Sequence, residues 1–453
     1  MKPSLHPCML VPLILTGMPP AEAADLRVPA DYATIQAAVD AAASGDTIHI
    51  APGVYVEQTW IHQKNLSLIG QPGTILRAFP GMAPGIPGVN RGKSIVFIGD
   101  YSVVTIKDLC FEGDQLGGQN TDVLVGVDFD TAGGSVEKCR FTGFREKTPG
   151  PVGGAAIRFW SGDDGATRFP AEVRDTTITD CYTGIRIQGA DDVINYDVTL
   201  VDNTVTGVGL TKASDPLQGI HTKDGTTGLV ARNTISGFAY DGPVGPGLHP
   251  IPFGILRVSR NDKPLPPMTF EDNVLRSNQV HLAFFKAADS IVRNNTFEGN
   301  FPLIEDAPGQ IVQTAAGLWF SGADVQAVGN RFSDLPQGIR LAAQGDDFLG
   351  DATDAMLIDN RFCEVNTALF TEPGASYTEQ GTLTCPWPDP ELDITSAVNL
   401  SWPGMDEGFV VESALSVDGP WARVPATPVL RDGRNAVSVA TDGAGQYFRL
   451  VQP

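Results

Sequence analysis

One five-residue pattern recurs along the chain and restricts its fold more than any other feature: Asn, any residue, an apolar residue, any residue, then a small or polar residue. It appears as Asn203-Thr-Val-Thr-Gly207, Asn233-Thr-Ile-Ser-Gly237, Asn273-Val-Leu-Arg-Ser277, Asn295-Thr-Phe-Glu-Gly299, Asn330-Arg-Phe-Ser-Asp334 and Asn360-Arg-Phe-Cys-Glu364. Degenerate copies start at Leu109, Cys139 and Thr176. Self-similarity at intervals of about 20–50 residues is the mark of a solenoid. A β-branched run precedes each copy, as in Asp197-Val-Thr-Leu-Val. A second strand-like run follows, as in Gly184-Ile-Arg-Ile, Gly219-Ile-His-Thr, Gly254-Ile-Leu-Arg, Gly317-Leu-Trp-Phe and Gly338-Ile-Arg-Leu. Three short strands per repeat, with no helix between them, exclude βαβ units and fit one coil of a parallel β-helix. Equivalent residues would then stack every ~4.8 Å along the axis. An Asn at a corner can bond both the backbone and its counterpart in the next coil, so the Asn positions read as structural.

A solenoid needs its open end covered. Tyr32 to Ala43 carries apolar residues at helical spacing. A strand signal, Asp46-Thr-Ile-His-Ile, and the turn Ala51-Pro-Gly-Val-Tyr-Val follow it. That is the order of a capping helix and a first coil. Thr34-Ile-Gln-Ala-Ala-Val-Asp, Gly45-Asp-Thr-Ile and Pro52-Gly-Val-Tyr, together with the Asn repeats, resemble the pectin-lyase-like superfamily of right-handed β-helices over about residues 25 to 385. The resemblance implies a fold. It implies no single activity, because that superfamily holds lyases, hydrolases, esterases, epimerases and non-enzymes. The esterase, hydrolase and Asp-Pro-His-Asp epimerase motifs of the superfamily are not found, so no catalytic residue carries over.

The expected fold is therefore all-β: a right-handed parallel β-helix over 24–385, with an N-terminal capping helix and a small C-terminal β-sandwich over 386–453. Pro386-Trp-Pro-Asp-Pro reads as a stiff linker. The alternating segments after it resemble fibronectin-like modules, with Trp402 and Trp421 expected in their core. Residues 1–23 read as a secretory signal: Lys2, an apolar stretch from Met9 to Leu15, and the small-x-small site Ala21-Glu22-Ala23. The apolar run is too short to span a bilayer, and no later segment is a membrane helix. Secretion, the periplasm or the cell surface is the expected location. Removal of the signal takes Cys8 with it and leaves Cys110, Cys139, Cys181, Cys363 and Cys385, with Cys363 and Cys385 the best local disulfide pair. A net charge of -22 argues against nucleic-acid or anionic-membrane partners through the global field. The carboxylates could hold Ca²⁺.

Because a β-helix interior is packed with side chains, a site must lie on an outer face. Strand alternation points Ile185 and Ile187 inward and Arg186 and Gln188 outward. Applied to each coil, the rule gives an outward column of Arg158, Arg186, His221, Leu256, His281, Trp319, Arg340 and Leu369. A second column holds Trp160, Gln188 and Lys223, then smaller residues. This basic and aromatic stripe on an acidic protein reads either as a solvated sheet face or as a polysaccharide groove, with arginines pairing sugar carboxylates and Trp160 and Trp319 offering ring faces. The densest titratable group is Arg186, His221, Lys223 and Asp224. Elimination or epimerisation at a uronate needs a cation on the carboxylate and a base near pH 7: Arg186 for the first, His221 or Lys223 for the second. His249, in the loop from Tyr240 to Phe253, could reach in, and a second loop spans Asn261 to Pro267. Glycoside hydrolysis needs two carboxyls about 5–9.5 Å apart. The turn residues Asp163-Asp164, Asp191-Asp192, Asp324 and Asp346-Asp347 could supply them, although Asp at a turn commonly bonds its own backbone. The leading expectation is an exported polysaccharide lyase or epimerase for a uronate polymer. A glycoside hydrolase and a non-catalytic polysaccharide-binding surface protein remain as alternatives.

Overall fold

The computed structural model describes residues 23–84, 92–117, 123–148, 153–163, 165, 167–190, 193–213, 217–240, 251–259, 266–287, 289–299, 305–307, 310–311, 315–322, 324–342, 354–385, 396–403, 409–424, 428–431, 434–441 and 447–451. Residues 1–22 of the signal segment therefore lie outside the described residues. The chain divides into two compact units, 1–385 and 386–453.

Each full coil of the first unit, between its two terminal turns, supplies one strand to each of three parallel walls. One coil shows the plan: Tyr196–Val201 on the first wall, Thr204–Thr211 on the second and Gln218–Lys223 on the third. The first wall is a 13-stranded sheet that runs from Asp25–Val28 to Ser376–Gln380. The second and third walls merge where Arg331–Ala342 and Arg361–Thr371 each run through the corner as one strand. A short helix, Ile35–Ala41, buries Ile35, Ala38 and Val39 at the N-terminal end. Thr34 caps it by accepting from the Ala37 amide, and the Glu57 carboxylate accepts from the Ile35 and Gln36 amides. Both contacts satisfy donors that a helix start leaves open. The strand Asp25–Val28 precedes this helix, so the first wall begins before the cap rather than after it.

The Asn repeats form a continuous ladder. The side-chain amide of Asn203 donates to Asn233 Oδ1 at 2.9 Å, Asn233 to Asn273 at 3.0 Å, Asn273 to Asn295 at 2.9 Å, Asn295 to Asn330 at 3.1 Å and Asn330 to Asn360 at 3.0 Å. Each Oδ1 also accepts the backbone amide of the Asn below, and each Nδ2 donates to a first-wall carbonyl, as Asn273 does to Val230 O. All six side chains are buried. The residue before each Asn takes a positive φ, as at Asp202, Arg232, Asp272 and Asn294, and this turns the chain through the corner. The ladder degenerates toward the N-terminus, where Asn203 Oδ1 accepts from the Thr176 amide and Thr176 Oγ1 from the Cys139 amide. The degenerate copies thus hold the same corner with weaker groups.

Inside, like residues stack. Val127, Ile157, Ile185, Ile220, Ile255, Leu282, Leu318, Ile339 and Leu369 form one paired column of the third wall. Phenylalanines of the repeat stack with ring centroids 4.6 Å apart at Phe111–Phe141, 4.9 Å at Phe297–Phe332 and 4.7 Å at Phe332–Phe362, close to the inter-strand spacing. A column of small residues lets the coils close up at the corner that opens the third wall: a Cβ on Gly184 would lie 2.4 Å from Gly219 O, and one on Gly219 2.4 Å from Gly254 O. Cys363 and Cys385 are disulfide-bonded. Among the described residues Cys110, Cys139 and Cys181 are free; burial pushes the Cys139 thiol up to about 12 and raises that of Cys181 as well.

The second unit consists of two three-stranded antiparallel sheets: Ser396–Pro403, Arg434–Thr441 and Val429–Arg431 in one, and Ala422–Arg423, Val410–Ala414 and Tyr447–Val451 in the other. Its core is Val411, Val424 and Val437, with Leu400, Phe409, Val439 and Phe448 packed against it. Trp421, expected in that core, instead sits half-buried with the Arg449 guanidinium 4.3 Å from its ring centroid. The Trp402 side chain lies outside the described set.

Replacing Asn273 by Ala removes hydrogen bonds to Asn233, Asn295 and Val230 at once and should cost about 1–3 kcal/mol for each buried group orphaned. Denaturant unfolding of Asn273→Ala should show a clear loss; an unchanged midpoint would contradict the ladder's role. In native protein near pH 8, Cys110 should react with a thiol reagent before Cys139 and Cys181, which should become reactive only on unfolding.

Candidate functional site

The outer face of the third wall carries two parallel columns, fixed residue by residue by strand register. The first runs Trp60, Phe97, Asp128, Arg158, Arg186, His221, Leu256, Ala283, Trp319, Arg340, Phe370. The second runs His62, Gly99, Asp130, Trp160, Gln188, Lys223, Val258, Phe285, Ser321, Ala342. Arg158, Arg186, His221, Trp319 and Arg340 therefore do share a column, and Trp160, Gln188 and Lys223 share its neighbour.

Two places expected from the sequence are corrected. His281 pairs with Gly254, not Leu256, and so occupies the small-residue corner. Its ring is fully buried, with Nε2 2.8 Å from Gly299 O and Nδ1 3.2 Å from Asn278 Nδ2. The coil's own alternation, Leu282 and Phe284 inward, carried this signal; the missing glycine hid it. Leu369 is likewise interior, and Phe370 takes the outward place beside Arg340. The second column also does not end in small residues alone, since Phe285 lies in it. His249, most of the Tyr240 to Phe253 and Asn261 to Pro267 loops, Asp164, Asp191, Asp192, Asp346 and Asp347 lie outside the described residues.

The stripe is not an open basic face. Arg158 makes a two-pronged ion pair with Asp128, the residue one rung earlier in its own column: Nε to Oδ1 at 2.8 Å and Nη2 to Oδ2 at 2.6 Å. Asp128 is 1% exposed along its side chain and Arg158 13%. Burial pulls the Arg158 guanidinium down, but the charge and hydrogen bonds of Asp128, with Asp130 behind it, outweigh this and leave its pKa raised. Lys223 Nζ lies 3.3 Å from Asp224 Oδ2. Arg340 pairs with Glu372 at 2.5 Å and lies 5.0 Å from the Trp319 ring centroid and 5.2 Å from that of Phe370.

Exposure varies along the stripe. Trp60, His62, Arg158, Trp160, Arg186 and Gln188 reach solvent, in full or in part, while Phe97, Gly99, Asp128 and Asp130 between them are buried. From the next rung as far as Trp319 and Ala342 the columns are buried, with His221 6% exposed and Lys223 2%, and Asp224 beside them 1%; Arg340 and Phe370 reach solvent again beyond. Leu256, Val258, Ala283, Phe285 and Trp319, beyond His221 and Lys223, form a separate apolar cluster with Phe253, Val280 and Ala342. The Arg186–His221 and Gln188–Lys223 pairs mark the boundary, and Arg186 Nη2 reaches Gln188 Oε1 at 3.4 Å.

An interior arginine, not singled out by the sequence reading, sits beneath this boundary. Arg257 pairs with Thr222 and Phe284 in an inward column and is fully buried. Its Nη1 donates to Thr226 Oγ1 at 3.0 Å and its Nη2 to Pro266 O at 2.5 Å. Burial pushes its guanidinium down to about 9 against the opposing charge of Asp224. Asp224 thus stands between an outer lysine and an inner arginine, placed there by a positive-φ turn at Asp224 and Gly225. The phase of Gly254-Ile-Leu-Arg gave the signal for Arg257, since alternate residues point inward.

At the N-terminal end the same face holds a cleft of about 720 Å³ lined by Trp60, His62, Phe97, Gly99, Asp100, Tyr101 and Asp130, with Ala83, Pro84 and Thr131. Gln58, buried, pins Ala83 by both its amide and its carbonyl and also donates to Ser94 O. His62 and Asp100 are hydrogen-bonded at 2.9 Å. The Tyr101 hydroxyl donates to Asp163 Oδ2 at 2.8 Å, and that bond raises the Tyr101 pKa. Asp163 also accepts the Gly165 amide, so this turn aspartate is engaged in holding its own turn. Asp324 is exposed. Among the described residues no cluster of three His, Cys, Asp or Glu is placed to hold a metal ion, and no helix is long and apolar enough to cross a membrane.

Residues 125–332 match the family described as the right-handed beta helix region. No curated protein matches the chain. Among solved structures it is similar to the periplasmic alginate epimerase AlgG, at 9% identity over 75% of this chain and 77% of that one, TM-score 0.45. The catalytic domain of a GH87 alpha-1,3-glucanase aligns at 11% identity over 81% and 70%, TM-score 0.44. A GH136 lacto-N-biosidase from Eubacterium ramulus aligns at 12% identity over 76% and 62%, TM-score 0.49. With three parallel walls, an Asn ladder and the family match over its centre, the first unit is a right-handed parallel β-helix.

Proposed function

We propose that this is an exported carbohydrate-active β-helix that lays a polysaccharide along the outer third wall from Trp60 to Gln188 and acts on a uronate residue at the closed end of that stretch. The observation that carries the reading is the register: Arg186 lies beside His221, and Gln188 beside Lys223, where the accessible face meets the buried one. A half-buried guanidinium there would neutralise the uronate carboxylate and make the adjacent C–H acidic. His221, or Lys223 held by Asp224, would take that proton. Departure of the oxygen on the next carbon would give an unsaturated product; return of a proton to the opposite ring face would give an epimer. Seclusion of His221, Lys223 and Asp224 from bulk water strengthens each charge interaction among them. Arg158 and Trp160 would contact preceding sugars, with Arg158 held rigid by Asp128. Trp319 and His281 lie on or behind the covered part of the wall and Arg340 lies beyond it, and none is assigned a substrate contact in this reading.

Incubation with alginate, pectin and chondroitin, followed by absorbance of the unsaturated uronate and by NMR of the epimer ratio, tests the proposal. Activity on one of them should fall by about 10²–10⁴-fold in His221→Asn or Lys223→Met if the altered residue is the proton acceptor. Wild-type activity in both variants would remove the assigned residues. Release of reducing ends without unsaturation or epimerisation would identify a hydrolase instead. Retention of polymer without turnover would identify a binding protein.

A further inference from the structure

One interior column of the third wall runs Phe129, Phe159, Ile187, Thr222, Arg257, Phe284, Phe320, Leu341. It is apolar except at Thr222 and Arg257, which pair across adjacent strands and are both fully buried. From these two residues we infer that the coil interior binds a small monovalent anion of halide size. A guanidinium carries five N–H donors. At Arg257, Nη1 donates to Thr226 Oγ1 at 3.0 Å and lies 2.8 Å from Met268 Sδ, and Nη2 donates to Thr226 O at 3.3 Å and to Pro266 O at 2.5 Å. All of these acceptors are uncharged, and a thioether is a weak one. Arg257 Nε makes no hydrogen bond, and neither does Thr222 Oγ1. Among the described residues no carboxylate lies within ion-pair distance of Arg257; Asp224, whose charge it feels, is 3.3 Å from Lys223 Nζ instead.

A buried cation that rests on neutral acceptors is costly, and an opposite charge offsets that cost better than hydrogen bonds alone. A water molecule would satisfy Nε and Oγ1 but leave the charge of Arg257 uncompensated. An anion does both. Each of the two groups can donate, and adjacent rungs are ~4.8 Å apart, so one acceptor between the strands can take both hydrogen bonds. Ile187 and Phe284 close the column on either side, and interior packing of this density favours a single atom over an oxyanion. Because Thr222 and Arg257 face the interior, the site stands independently of the reaction proposed above. It bears on that reaction through Asp224: an anion beneath it would screen the interior cation and leave the carboxylate to Lys223.

Urea unfolding of the full-length protein, in sodium gluconate progressively replaced by sodium chloride or bromide at constant ionic strength, tests the assignment. Above the dissociation constant, each tenfold rise in halide should lower the unfolding equilibrium constant of the β-helix about tenfold. Thr222→Val should raise the halide concentration required by about tenfold. Thr222→Ser should leave it near wild type, and Arg257→Met should abolish the dependence. In crystals grown with bromide, an anomalous peak should lie within hydrogen-bond reach of Arg257 Nε and Thr222 Oγ1. If Arg257→Met does not fold, the two Thr222 variants and the anomalous peak decide. Stability indifferent to halide, a dependence unchanged in Thr222→Val or Arg257→Met, or water in place of bromide at that position would overturn the site. So would a bromide peak without any effect in solution, which marks binding at crystal concentration only.

Discussion

The register of successive coils governs everything else in this molecule, and the buried Asn ladder is what pins it. A parallel strand pair with a β-branched face could slide by two residues and keep its apolar side inward. The ladder forbids this, because each Asn amide must meet the Asn above it and a first-wall carbonyl together, in a place where water cannot substitute. Chains of such amides polarise one another, so the interior members are held more firmly than the ends. Once the corner is fixed, the outward columns of the third wall follow, and with them every statement about which side chains can meet.

That dependence explains what was legible in the sequence. The Asn spacing, the glycine that opens each third-wall strand and the alternation within it sufficed to place Arg158, Arg186 and His221 in one column and Gln188 beside Lys223. The same procedure misplaced His281, because its coil replaces the opening glycine with the histidine itself and the motif slid by two positions. It misplaced Leu369 by one, where Arg361–Thr371 runs unbroken through the corner. Register is a local property and could be read from local pattern.

Exposure could not. Whether an outward side chain meets solvent depends on what the rest of the chain lays over it, and no strand pattern encodes that. Hence the buried state of His221, Lys223 and Asp224 was not evident, nor was the apolar cluster around Trp319. The ion pairing of Arg158 was hidden for a related reason: Asp128 lies in an earlier strand whose repeat copy is degenerate, so its place in the column was not assigned. The N-terminal cleft escaped for the same cause. Trp60, Phe97 and Gly99 belong to the coils before the Asn repeat becomes regular, yet they continue the same face.

The resulting picture is a wall whose N-terminal half reaches solvent at Trp60, His62, Arg158, Trp160, Arg186 and Gln188 and then meets a covered titratable group, with Arg340 and Phe370 accessible again beyond it. Hydrogen–deuterium exchange, with and without a saturating oligosaccharide that the protein binds, tests this most directly. The account predicts slowed exchange in Thr59–His62, Lys93–Gly99, Leu124–Asp130, Gly154–Trp160 and Thr183–Gln188 and in the turns that follow them. Protection confined to the first or second wall would contradict it.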